Sequence, residues 1–294
     1  MIYDIKLRLS YNYSGQAAAG RHLACLMPRE IAGRQRLVAG LLQIDPHPDE
    51  RFDRQDFYGN RAVEFALRNP HDGIAVTLQA RVERTEPAPV NLPSPTLAAL
   101  IGILSNIRDL GPESPVHFLA PSPRVPGDPA MTAFARAQLR PGMQAEAAVQ
   151  AISQALHEEM TFDPRATTVD TPAAEAFAKR HGVCQDFSHI LISCLRGVGI
   201  PAGYVSGFLR TLPPPGKPRL EGADAMHAWV RAWCGAAVGW IEVDPTNDCR
   251  AGTDHIIVAR GRDYSDVAPI KGVMRVAGEQ TTHQAVDVLP VLSG

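Results

Sequence analysis

Ten prolines crowd into one stretch of this 294-residue chain: Pro87, Pro89, Pro93, Pro95, Pro112, Pro115, Pro121, Pro123, Pro126 and Pro129. Each fixes φ and lacks a backbone N–H, so neither a sheet ladder nor a long helix can run through them. Residues 91–140 therefore read as an extended proline-rich connection with one short helix inside it. The segments on either side follow different periods and should fold differently.

Before the connection the period is two. In MIYDIKLRLSYNY, residues Tyr3, Ile5, Leu7, Leu9, Tyr11 and Tyr13 share one face of a strand. HLACLM and QRLVAGLLQI follow as candidate strands. NRAVEFAL and GIAVTLQARVE flank RNPHDG, whose Asn-Pro and Asp-Gly pairs signal a hairpin turn. Residues 1–90 are expected to form a small all-β domain, an antiparallel sandwich or barrel.

From Pro141 the spacing becomes helical. Val149, Ile152, Leu156 and Met160 recur on one face, and Thr171-Pro172 reads as a second helix start with a hydroxyl cap, ending near His181-Gly182. A third helix carries Phe187, Ile190, Leu191, Cys194 and Leu195 on one face, with Asp186, His189, Ser193 and Arg196 elsewhere, and stops at Gly197 and Gly199. The strands AGYVSGFLR, MHAWVRAW, GWIEVD and HIIVAR follow. QAVDVLPVL is a tail strand expected to return to one of the sheets. Helices followed by an antiparallel run make residues 141–294 an α+β unit.

Composition narrows the function. Hydrophobic residues make up 45%, enough for a substantial core, and 29 Lys plus Arg nearly balance 31 Asp plus Glu. With no basic stripe or charged tail, neither nucleic acid nor membrane is an expected partner. The opening strand is not a basic-then-apolar leader, and TLAALIGIL is too short to span a bilayer. Five cysteines at 25, 184, 194, 234 and 249 make no disulfide framework. A reducing, cytoplasmic setting is expected.

Two of those cysteines lie in the third helix. Cys194 is mid-helix on the apolar face and reads as a small hydrophobe. Cys184 stands at the helix start, where unpaired N–H groups and the helix dipole favour a thiolate, and Gly182 would leave room for a second chain. A nucleophilic thiolate needs a base, and the base needs an orienting partner. His227 lies near the start of a strand on which His227, Trp229, Arg231 and Trp233 share a face. Asp244 ends the next strand, where Pro245 stops the ladder. Adjacent antiparallel strands would bring the two together, with Asp244 fixing the tautomer of His227. Each residue also has a plainer reading: a buried thiol, a half-buried histidine, a turn-capping aspartate.

The blocks RHGVCQDFSHILISCLRGVGIPAGYVSGFL, MHAWVRAW, GWIEVDPTND and HIIVARGRDYSDVAP, taken in order, resemble the transglutaminase-like cysteine enzymes, distant relatives of papain-type proteases, in their bacterial branch with an N-terminal β domain. The resemblance implies a transglutaminase-like (papain-like) α+β core, with Cys184 as nucleophile, His227 as base and Asp244 as orienting carboxylate. It implies thioester chemistry on a peptide or protein-like amide, without cofactor or metal. Gln185 stands where animal transglutaminases place tryptophan, and no Asp/Asn-rich loop ending in glutamate suggests calcium. Both departures favour hydrolysis over acyl transfer to an amine; a binding module that keeps the fold without turnover is the reading outside the enzyme class.

The remaining polar residues read as structural. Gln185 and Asp186 satisfy the helix start, and Trp229, Trp233 and Trp240 belong to the core. His181 and Cys184 are two ligands at most, too few for zinc. In GRDYSDVAP, Arg262, Asp263 and Asp266 either line a cleft or hold their own loop, and DPHPDERFD reads as a solvated loop.

Overall fold

The computed structural model describes residues 1–86, 92–211, 222, 224–276 and 278–291. Pro87 and Pro89, which open the proline-rich stretch, and Leu292 of the expected tail strand lie outside the described residues. In chain order the first elements are β1 (Ile2–Ala24), β2 (Gln35–Asp45), β3 (Glu50–Gln55), β4 (Arg61–Leu67), β5 (His71–Arg84), α1 (Leu97–Ser105), α2 (Pro129–Ala137), α3 (Ala145–Glu159) and β6 (Thr161–Phe162). Then come α4 (Ala173–Lys179), β7 (His181–Gly182), α5 (Cys184–Gly197), β8 (Ala202–Leu209), β9 (Ala225–Trp233) and β10 (Trp240–Asp244). The last are β11 (Cys249–Arg250), β12 (His255–Gly261), α6 (Tyr264–Val267), β13 (Ile270–Val276) and β14 (Gln280–Pro290).

The long strand β1 organises the N-terminal unit. Its alternation buries Tyr3, Ile5, Leu7, Leu9 and Tyr13, and its neighbour β5 buries Ile74, Val76, Leu78, Ala80 and Val82 in the same rhythm. The result is one hydrogen-bonded network of seven strands, which β13 and β14 join by returning to pair with β1. HLACLM is the end of β1 and not a strand of its own. RNPHDG is no hairpin turn either: β4 pairs with Gly20–Ala24 and β5 with Ala17 and Ile2–Asn12, so both run the same way along β1, end to end. Pro70 cannot donate to a ladder, and it marks the break between them. DPHPDERFD includes the edge strand β3, exposed but paired to β4.

The connection holds more structure than its prolines suggested. Two α-helices and a 3-10 turn (Pro115–Phe118) fit between them, because Pro115 and Pro129 fall in the first turn, where no N–H is needed. Thr171 does not cap α4: its hydroxyl accepts the Thr168 N–H at 3.0 Å, and Pro172 precedes the helix.

The second large sheet has the order β11-β10-β9-β8-β12, all antiparallel. α5 packs on β8 and β9 and is surrounded by α2, α3 and α4. The sequence suggested a one-sided helix, but every residue from Gln185 to Leu195 is buried. A helix enclosed on all sides must pair its polar groups inside the protein.

What locks the two sheets together is the free edge of β12. An unpaired edge strand exposes N–H and C=O groups. Here two buried side-chain amides from the N-terminal unit take the place of a neighbouring strand. Gln35 accepts from the Ile257 N–H at 2.8 Å and donates to the Ile257 carbonyl at 2.6 Å. Asn60 does the same for Arg260, at 2.8 Å in both directions. Replacing Gln35 by Met keeps the volume but orphans the buried Ile257 N–H. Urea unfolding should show a loss of about 1–3 kcal/mol, and a change below about 0.5 kcal/mol, the range of ordinary surface substitutions, would show that the amide clamp contributes nothing.

Candidate active site

Cys184 opens α5 and is the half-buried cysteine of the chain. The other cysteines differ from it. Cys25, Cys194 and Cys234 are buried, and burial pushes their thiols up to about 12. Cys249 is exposed, its thiol raised to about 11 by partial burial and by the charges of Asp244 and Asp248. The N–H groups of a helix's first turn have no partner within the helix and form a region of positive potential. Cys184 occupies that region.

Gln185 and Asp186 hold this helix start in place, as the sequence suggested. Asp186 Oδ2 accepts from the Val183 N–H at 2.8 Å and the Thr167 hydroxyl at 2.6 Å. Burial raises its carboxyl, and those two hydrogen bonds offset part of the rise. Gln185 donates to the Val169 carbonyl at 3.0 Å. Gly182 does not open space for a second chain. A Cβ there would lie 2.8 Å from Asp186 Cβ and Oδ2, so the missing side chain makes room for the capping carboxylate.

His227 is 8% exposed on β9, opposite Gly207 of β8. Its Nε2 donates to Asp244 Oδ2 at 2.7 Å, which leaves the lone pair of the neutral ring on Nδ1. The register that pairs Val243 with Val230 sets Asp244 diagonally from His227, within reach of a side-chain contact. Burial lowers the His227 pKa, but hydrogen bonds to Asp244 and Cys184 and the charges of both groups outweigh it, raising it to about 10. The structure thus brings together Cys184, His227 and Asp244 from α5, β9 and β10.

Asp244 has no solvent exposure. Its Oδ2 also accepts from Asn247 Nδ2 at 2.7 Å and from His255 Nε2 at 3.1 Å. Oδ1 accepts from the N–H groups of Thr246 at 3.0 Å and Asn247 at 3.2 Å. Burial would raise its pKa, yet the hydrogen bonds from His227 and His255, the His227 charge and Asn247 hold it well below the usual carboxylate range.

Sequence reasoning missed Asn247 and His255. Asn247 sits inside the DPTN block, three residues past Asp244. His255 opens β12, which is separated from β10 by β9 and β8. Its ring meets edge-on, at 5.1 Å, the Trp229 ring, which lies over Gly207, where a Cβ would strike it at 2.5 Å. No local pattern announces such a contact.

His227, Asp244 and His255 also place three possible metal-ligand atoms within 4.8 Å of one another. The donor pattern fits a hydrogen-bond network better. The Gly252 N–H points at His255 Nδ1, 3.3 Å away, so the ring carries its proton on Nε2 and donates it to Asp244. A ligating histidine needs the opposite arrangement, a lone pair toward the metal and a proton on the far nitrogen. The other candidates are accounted for within the fold. His181 is exposed and bonds the Lys179 carbonyl through Nδ1, Arg262 pairs with Asp266, and Asp263 caps α6. Trp229 is fully buried, with Nε1 on Glu242 at 2.9 Å.

Residues 132–245 match the transglutaminase-like superfamily, and residues 3–83 match the bacterial transglutaminase-like N-terminal region. The chain belongs to the transglutaminase-like superfamily. An uncharacterized protein of Mycobacterium tuberculosis (strain ATCC 25618 / H37Rv) is 34% identical over 303 residues, covering 98% of this chain and 92% of its own. One from Mycobacterium leprae is 30% identical over 283 residues, covering 95% of each. A Pseudomonas aeruginosa protein-glutamine gamma-glutamyltransferase is 36% identical over 111 residues, 35% of this chain and 16% of that protein. Among solved structures, a Cytophaga hutchinsonii protein described as a "putative cysteine protease" superposes with a TM-score of 0.74 at 20% identity, covering 100% of this chain and 92% of that one. That likeness shows a shared fold.

The carboxylate has a direct consequence for stability. A pKa depressed on folding contributes stability above the unfolded value, near 3.8, that is lost as pH falls through the folded value. Urea unfolding of Asp244→Asn should therefore depend less on pH than the parent between about pH 5 and pH 2. Parallel profiles would contradict an ionised Asp244.

Proposed function

We propose that the protein is a thiol-dependent enzyme that cleaves an amide bond in a peptide or protein-like substrate through a thioester intermediate. The observation that carries this reading is the His227–Asp244 hydrogen bond at 2.7 Å, made through Nε2, with Cys184 as the histidine's other partner at the start of α5. His227 takes the thiol proton on Nδ1, and Asp244 stabilises the imidazolium that forms. The thiolate attacks the substrate carbonyl carbon, and the oxyanion is held in part by the Cys184 backbone N–H. The tetrahedral adduct collapses as the C–N bond breaks and His227 gives its proton to the departing amine. Water, deprotonated by the now neutral His227, then attacks the thioester and releases the acid and the thiol.

Transfer of the acyl group to an amine is the second reading. The match to the Pseudomonas aeruginosa glutamyltransferase over the segment shared with it favours this reading. Both need the same thiolate, and they differ only in what resolves the thioester. Hydrolysis of a peptide amide without added amine supports the peptidase reading; incorporation of a fluorescent primary amine into a glutamine-bearing protein supports the transferase.

Iodoacetamide labelling from pH 5 to pH 9, with peptide mapping of all five cysteines, tests the shared step. An unperturbed thiol reacts in proportion to a titration near ~8.5. Cys184 should label well below that pH. His227→Ala should slow its labelling at pH 6 by about 10²-fold or more, the span general-base assistance contributes. Labelling of Cys184 no faster than that of the other cysteines, or unaffected by His227→Ala, would sink the assignment.

A further inference from the structure

We propose that His255 is a positioning residue. It holds the Asp244 carboxylate ionised and aimed at His227, and it is itself held by the N-terminal unit. This rests on the functional reading above and adds a fourth side chain to it.

Three side chains donate to Asp244 Oδ2, and Asn247 is exposed while His227 and His255 are buried. His227 is the ring that the carboxylate has to aim, so its bond to Oδ2 cannot serve as an independent anchor for Asp244. Asn247, at the surface, can exchange its bond for water. His255 is the buried donor whose protonation does not change in the proposed steps. Its tautomer is set from behind by the Gly252 N–H on Nδ1, and its backbone N–H returns to the Gly252 carbonyl at 3.2 Å. The edge-on contact with Trp229 fixes the plane of the ring.

The turn that carries His255 is fastened to the N-terminal sheet. Arg84, 2% exposed at the end of β5, donates to the Gly252 carbonyl at 2.9 Å. Tyr3 of β1 donates to Asp254 Oδ1 at 2.7 Å, and Arg210 reaches the same oxygen at 3.2 Å. A chain of contacts therefore runs from β5 through Gly252 and His255 to Asp244 and His227. This gives the N-terminal unit a part in aligning the site as well as in covering the sheet edge.

The test compares His255→Leu, His255→Asn and His255→Gln in the full-length protein. Gln places an amide N–H near the position of Nε2, Asn falls short of it, and Leu offers no donor. Two readouts are taken: the rate of Cys184 alkylation at pH 6, and the downfield proton resonance of the His227 Nε2–H···Asp244 hydrogen bond. Loss of a buried hydrogen bond to a charged group corresponds to roughly 10- to 100-fold. His255→Leu and His255→Asn should slow alkylation by that factor and shift or abolish the resonance. His255→Gln should keep the resonance and stay within about threefold of the parent rate, the spread expected when such a bond is retained.

Should His255→Leu fail to fold, the Asn and Gln pair still decides the question. Parent-like behaviour of Leu or Asn in both readouts would overturn the proposal. Equal damage in Gln and Asn would also overturn it, by showing that the site needs the ring's shape and not its donor. The resonance does not depend on turnover. If Cys184 of the parent proves unreactive, the enzyme reading fails, while the resonance series still decides what His255 does.

Discussion

A carboxylate removed from water must have its oxygens satisfied or give up its charge, and Asp244 satisfies both. It is fully buried and takes five donors: three side chains on Oδ2 and two backbone N–H groups on Oδ1. Much of the surrounding architecture serves that arrangement. Pro245 ends β10 so that the next two N–H groups turn back to Oδ1. The β9–β10 register sets His227 on the diagonal, and Gly207 leaves space for Trp229 to lie across β8 against His255. The charge so held raises the pKa of His227 against the burial that would lower it.

The N-terminal sheet is part of the same construction. Gln35 and Asn60 close the outer edge of β12, and Arg84 and Tyr3 hold the turn from which β12 starts. One continuous apolar cluster runs from β1, β5 and β14 through to α3, α5, β8 and β9. Because β13 and β14 return to β1, the first and last segments of the described chain share one sheet. Among the described residues no helix is long and apolar enough to cross a membrane.

Local periodicity and pairwise logic made much of this legible from sequence. Alternation in MIYDIKLRLSYNY located β1, and helical spacing located α3 and the face of α5 built on Phe187, Ile190 and Leu191. The block order carried the family, and Asp244 beside His227 followed from two adjacent strands. What sequence did not carry was pairing at a distance. The Asn-Pro and Asp-Gly pairs between β4 and β5 mark a break and not a turn, because β1 is long enough for both strands to dock along it in series. The opposite side of α5 was polar yet buried, since Asp186 bonds Val183 and Thr167, and His189 accepts the Tyr264 N–H at 3.2 Å. His255 reaches Asp244 across two intervening strands, packed against a Trp229 ring that itself needs the missing side chain at Gly207.

In the proposed mechanism Cys184 and Asp244 together hold a charged His227 in a nearly dry site. The measurement that tests it most directly is a heteronuclear NMR titration of the His227 ring nitrogens, in the native protein and in Cys184→Ala. The imidazolium is expected to persist far above the 6.5 of a free histidine, to about 10, and Cys184→Ala is expected to lower its pKa by removing the Cys184 contact. A native ring that titrates near 6.5, or one whose titration is indifferent to Cys184, would contradict it.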